Sequence, residues 1–238
     1  MKIGIIGAMD VEVTLLKEHL ASKGPLSSEK ICSLEFFSGR VDASEVVVVQ
    51  CGVGMVNAAV ATQILCHHFC VDALINTGVA GSLDASIDIG DLVIATDAVN
   101  HVMDVCNLGY APGQTPGFEQ LSFPASQKLA VFAQEAADNL PIACHRGRVA
   151  SGDRFVHTDE DKAFIRDTFN ASCCEMEGAA IAQVAWLMST PFVILRAISD
   201  KADGTDHIDY PTFEAKAARD CAQLVIAMLG LLDSVDSL

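Results

Sequence analysis

Residues 45–69 read EVVVVQCGVGMVNAAVATQILCHHF, and the order of residue types in this stretch decides the fold class. Four successive valines, Val46 to Val49, favour extended backbone, because β-branched side chains are stiff and pack well on a pleated surface. A run that is apolar on both faces belongs in a strand covered from both sides. Gly52 and Gly54 then mark a turn, and residues 58–69 continue with helical apolar spacing. Strand, glycine turn and helix together form the repeating unit of an α/β protein.

The unit recurs in both directions along the chain. KIGIIGA at the N-terminus leads into VEVTLLKEHLAS, whose Val11, Leu15, Leu16 and Leu20 form a helical stripe. VDALINT leads into the glycine turn TGVAGS, and GDLVIATDAV, RGRVAS and PFVILRAIS read as further strands. PASQKLAVFAQEAADN, DEDKAFIRDTF, CEMEGAAIAQVAWLM and residues 211–234 read as helices, with Thr158 and Asp161 resembling a capping box before the second. The expected class is α/β: one three-layer domain over residues 1–238, with a central, largely parallel mixed sheet flanked by helices. Residues 108–124, LGYAPGQTPGFEQLSFP, form a loop long enough to serve as a lid, a binding loop or a subunit contact.

Composition excludes several classes of function. The 238 residues hold 15 Lys plus Arg against 31 Asp plus Glu, and the net charge of −16 repels nucleic acid and anionic membrane surfaces. The opening MKIGIIGAMD lacks the apolar length of a signal peptide, and no apolar run approaches a membrane span, so a cytoplasmic location is expected. Nine cysteines without regular spacing suit reduced core thiols. CHHFC at 66–70 puts two cysteines on one helix face, but no second ligand pair accompanies it and no metal is expected.

In a parallel sheet, ligands gather where strands deliver the chain into helices. Those ends carry GAMDVE (7–12), CGVGMVN (51–57), TGVAGS (77–82), SGDRFV (151–156), EMEG (175–178) and RAISD (196–200). CGVGMVN is an imperfect dinucleotide fingerprint, since Asn57 holds the third glycine position, so no nicotinamide or flavin cofactor is expected. Asp10 and Glu12 would oppose a phosphate at their helix start, although they also read simply as acids favoured by the helix dipole. Arg196, inside an apolar run, needs a carboxylate near it. Ser199 and Asp200 end that run, where an acid serves a ligand or merely a turn. Phe155 could stack on a flat ring or fill the core, and Glu175 and Glu177 read as acids at the start of a helix.

Taken in order, MKIGIIGAMDVEV, NTGVAGSL, GYAPGQTPG, SGDRFV, EMEGAAIAQVA and PFVILRAISD resemble the nucleoside phosphorylase/nucleosidase superfamily over nearly the whole chain. The resemblance is strongest to its bacterial 5'-methylthioadenosine/S-adenosylhomocysteine nucleosidases. It implies a nucleoside phosphorylase-like fold, a small adenine nucleoside as substrate, hydrolysis of the N-glycosidic bond, and no cofactor. Glu12 would activate water as general base, and Asp200, keeping its proton through a raised pKa, would promote protonation of adenine N7. Met176 would pack on the ribose and Glu177 would bind its hydroxyls, with Glu175 mainly structural. Arg196 would hold the water and Glu177.

The same resemblance sets Phe155 against the purine and the backbone of Val156 at its edge, with Ala80, Gly81 and Ser199 also lining the site. Met9 and Tyr210 would complete an apolar 5' pocket, walled by Val105, Leu108, Tyr110 and Pro116 from the partner subunit of a homodimer. The chain departs from some relatives at Val79, where a serine helps position the water, and at Val102, Cys106 and Leu108 near the 5' pocket. Neighbouring branches keep three other functions in view: hydrolysis of futalosine or aminodeoxyfutalosine, phosphorolysis, and nucleoside binding without catalysis. Against phosphorolysis, Asn76 stands where a phosphate-binding arginine would be needed.

Overall fold

The structure, a computed structural model, describes residues 1–200 and 210–232. The valine run forms β4 (Ser44–Gln50), which lies parallel to β1 (Lys2–Gly7), and β1 is flanked on its other side by β5 (Ala73–Ser82). Helices cover both faces, so Ile3, Ile5, Ile6, Val46 and Val48 are all buried. One apolar cluster joins this sheet to α1 (Asp10–Lys23), α3 (Gln127–Asp138) and α6 (Tyr210–Leu232). A second joins it to α2 (Met55–His67) and α5 (Gly178–Leu187). Three layers result, in agreement with the sequence expectation.

The remaining strands curl round. β10 (Phe192–Asp200) pairs in parallel with β5 and antiparallel with β6 (Leu92–Asn100). From β6 the pairing runs to β8 (Cys144–Ser151), then to β9 (Ala171–Glu175), and from β9 back to β5. Five strands thereby close into a ring, while β1, β4, β3 (Leu34–Val41) and β2 (Ser27–Ile31) extend from it as an open wing. The short β7 (Phe123–Pro124) lies beside β6, and α4 (Asp159–Phe169) packs on β9.

Three local features differ from the sequence reading. The β2–β3 hairpin gave no sequence signal, because β2 is almost wholly exposed and polar and its turn uses Cys32 at φ 54°, a residue that does not announce a turn. TGVAGS does not turn: it continues β5 and pairs with β10 through Gly81. Glu175 and Glu177 are not on a helix, since Glu175 ends β9 and Glu177 is the cap residue preceding α5.

Thr158 caps α4, its Oγ1 accepting the Asp161 N–H at 3.2 Å and donating to Asp161 Oδ2 at 2.6 Å. Removing the hydroxyl leaves that N–H without its partner. Thr158→Ala is expected to cost about 1 kcal/mol in denaturant unfolding, with an unchanged m-value. A loss below a few tenths of a kcal/mol would mean that the cap does not hold the helix start.

Candidate active site

The ring and the wing bring six chain segments to one cleft at the carboxyl ends of β1, β4, β5, β8, β9 and β10. Glu12 reaches it from the first turn of α1. Its Oε2 accepts the N–H groups of Ala8 at 2.7 Å and Met9 at 2.9 Å, and its Oε1 accepts that of Val79 at 3.0 Å. Burial nevertheless raises its pKa, against the pull of Arg196 and these three donors. A carboxylate held this way is fixed in direction and is a stronger base than an exposed one.

Glycine makes the room for both acids. A Cβ on Gly78 would lie 2.5 Å from Glu12 Oε1, and one on Gly81 would lie 2.8 Å from Asp200 Oδ2. These are closer than a Cβ carbon approaches an oxygen, which explains why TGVAG is extended yet rich in glycine.

Arg196 lies behind the cleft, 2% exposed. Its Nη2 donates to Glu175 Oε2 at 2.6 Å and also to Asn76 Oδ1. The partner of the buried cation is therefore Glu175, not Glu177. Strand register causes this: Arg196 stands opposite Gly78 on β5, and Glu175 ends the adjoining β9. Glu175 also accepts from Ser151 Oγ and from the N–H groups of Glu177 (3.0 Å) and Gly178 (2.9 Å). Burial opposes its charge, but Arg196 and these donors outweigh burial and hold its pKa low.

Glu177 meets the opposite balance. Burial, followed by the charge of Glu175, pushes it up to about 7, although the Gly54 N–H donates to its Oε1 at 2.8 Å. That N–H belongs to the start of α2, where the next one, on Met55, donates to Asp153 Oδ1 at 2.7 Å. The starts of α1 and α2 are thus both occupied by carboxylates of the chain itself, in the position a bound phosphate would need.

Of the residues singled out in the sequence, Met9, Glu12, Ala80, Gly81, Phe155, Val156, Met176, Glu177, Ser199 and Asp200 line this one cleft. Phe155 is 56% exposed, so it is not core filling. Arg196 supports the cleft from behind. Val105, Leu108, Tyr110 and Pro116 do not line it from within their own chain; they lie on the segment between β6 and β7, with Leu108 and Pro116 exposed. Tyr210 opens α6, but its side chain falls outside the described residues. Sequence reasoning missed Ala8, Val53, Arg154 and Cys174 as lining residues, and Asn76 and Asp153 as hydrogen-bonding supports. Val53, Arg154 and Asp153 sit inside motifs already at strand ends, so position could have found them.

Fold and site together define an α/β enzyme with an acid-lined cleft. The chain belongs to the phosphorylase superfamily, whose family model matches residues 2–230. It is 40% identical over 233 residues to the 5'-methylthioadenosine/S-adenosylhomocysteine nucleosidase of Bacillus pumilus, covering 96% of this chain and 98% of that one. The crystal structure of such a nucleosidase from Colwellia psychrerythraea, in complex with adenine, superimposes with a TM-score of 0.91 at 40% identity, covering 98% of this chain and 96% of that one. The futalosine hydrolase of Helicobacter pylori superimposes with a TM-score of 0.92 at 32% identity, and each chain is covered to 98%.

The Glu177 balance predicts a trade of stability for function. Its raised pKa means that the folded protein holds a proton which the unfolded chain releases near the ordinary glutamate value of 4.5. That contribution to stability is full below 4.5 and is lost as pH rises through about 7. Glu177→Gln should therefore raise the melting temperature at pH 8 by about 2–4 °C and leave it nearly unchanged at pH 4. Equal shifts at both pH values would show that ionisation of Glu177 does not burden the fold.

Proposed function

We propose that this protein hydrolyses the N-glycosidic bond of 5'-methylthioadenosine and S-adenosylhomocysteine, releasing adenine and the 5-substituted ribose. The observation that carries water rather than phosphate as nucleophile is the filling of both helix starts by Glu12, Glu177 and Asp153. The curated and structural relatives carry the substrate class. In this reading Glu12 takes a proton from water as it attacks the anomeric carbon. Asp200 gives one to N7 of adenine as the bond breaks, on the other side of the sugar. Acid and base then complement the two charges of an oxocarbenium-like transition state, as in an inverting glycosidase.

The supporting roles are those the family resemblance implies, and position in the cleft supports them where the side chain is described. Phe155, exposed in the cleft, stacks on the purine, and the backbone of Val156 meets its edge. Met176 packs on the ribose and Glu177 accepts from its hydroxyls, most strongly in the ionised form, which favours pH above about 7. Arg196, oriented by Glu175 and Asn76, lends positive charge to the Glu12 side of the cleft. Ala80, Gly81 and Ser199 shape the base site, and Met9 and Tyr210 the 5' end. A cytoplasmic enzyme of this kind would serve methionine salvage. Hydrolysis of aminodeoxyfutalosine or futalosine is the second reading, favoured by the likeness to the Helicobacter pylori hydrolase.

Adenine release measured in phosphate-free buffer tests the reaction, with methylthioadenosine, S-adenosylhomocysteine and aminodeoxyfutalosine compared by kcat/KM. A strict need for phosphate would replace hydrolysis by phosphorolysis. Glu12→Gln should leave binding largely intact and lower turnover by at least ~10²-fold, and Asp200→Asn should lower it sharply, because an amide has no proton to give. Full turnover in either variant would remove that residue from the chemistry.

The active form in this reading is a homodimer, in which Val105, Leu108, Tyr110 and Pro116 of each subunit wall the 5' pocket of the other. The exposure of Val102 (46%) and Leu108 (68%) on this segment supports it, since a covering subunit would bury them. Tyr110→Ala should weaken methylthioadenosine relative to adenosine by about 1–3 kcal/mol and loosen the dimer in sedimentation. A fully active monomer would place the 5' pocket within one chain.

A further inference from the structure

Lys162 is 6% exposed, a rare setting for a lysine. It lies in the opening turn of α4, where the helix dipole disfavours a cation, and its charge is costly to bury. An aliphatic side chain would fill the same place beside Ile165 and Phe169 at no such cost. The lysine does not line the cleft. Its Nζ stands 3.7 Å from Asp200 Oδ2, while Asp200 Oδ1 accepts from Ser199 Oγ at 3.1 Å.

We propose that Lys162 is a positioning residue for the acid step: its ammonium orients Asp200 and stabilises the negative charge that Asp200 acquires on giving its proton to the departing base. The inference rests on the acid role of Asp200 in the hydrolysis proposed above. In that step the electron pair of the breaking C1'–N9 bond stays with adenine, the Asp200 proton moves to N7, and the carboxylate left behind lies beside the ammonium. Solvent returns a proton to Asp200 after adenine leaves. Charge that forms in the transition state next to a fixed cation lowers the barrier, because the cation needs no reorganisation.

Among the described residues, the other groups near Asp200 do not supply this effect. Cys174 of β9 faces Asp200, and burial pushes its thiol up to about 12, leaving it uncharged. β5 presents Gly81, which has no side chain, at Asp200. The cleft acids Glu12, Glu175 and Glu177 carry the wrong sign, Arg196 is engaged by Glu175, and Arg154 pairs with Asp161.

The test is the pH dependence of kcat/KM for adenine release by wild type, Lys162→Met and Lys162→Arg. Lys162→Met should lower kcat on the order of tenfold. It should also move one limb of the profile to higher pH by about one to three units, the other limb staying in place. Lys162→Arg, which keeps the charge, should restore the wild-type limb. A 4-nitrophenyl riboside, whose leaving group needs no proton, should be cleaved by Lys162→Met within about twofold of the wild-type rate. Unmoved limbs, or equal losses on both substrates, would make Lys162 a packing residue and overturn the proposal. Should Lys162→Met not fold, Lys162→Gln carries the same readouts. No adenine release by the wild type would instead remove the hydrolase reading itself, so the two failures are distinguishable.

Discussion

The pairing of Arg196 with Glu175 is the constraint on which the rest of the site depends. A guanidinium 2% exposed in the middle of β10 is tolerable only where carboxylate and amide oxygens surround it, and Glu175 and Asn76 provide them. The three residues come from β10, β9 and β5, strands of the closed ring, so the ion pair and the ring specify one another. Glu175 in turn accepts the first N–H groups of the Glu177–Gly178 step. That contact ends β9, starts α5 and points Glu177 into the cleft.

Once Glu175 is committed to Arg196, the charges of the cleft sort themselves. Glu175 stays ionised, Glu177 feels that charge and is pushed up, and Glu12 is raised by burial while three N–H groups fix its direction. The carboxylates therefore do different work because their neighbours differ, not because their side chains do. Two acids of one short motif, EMEG, end with opposite shifts.

Much of this was legible in the chain. Runs such as Val46 to Val49 report a strand covered on both faces, because the signal lies in consecutive residues, and Thr158 reports its helix start for the same reason. Strand-end acids were legible as site candidates by position alone. The choice between Glu175 and Glu177 as partner of Arg196 was not, because it follows from the register of β9 and β10 against β5, a property of residues far apart in sequence. The β2–β3 hairpin escaped because an exposed strand carries no hydrophobic pattern. Lys162 sits three residues before Ile165 and seven before Phe169, on the buried face of an amphipathic helix; that spacing was a signal, and it was readable as a charge out of place.

Gly78 and Gly81 add a consequence for how such a site is inherited. Neither carries a functional group, yet each clears the space that an acid occupies. A single-base change to alanine at either codon would reach the acid as surely as a change in the acid's own codon. The hereditary target of the chemistry is therefore larger than its set of reactive atoms. Part of what a lineage must preserve here is emptiness of the right shape along one strand.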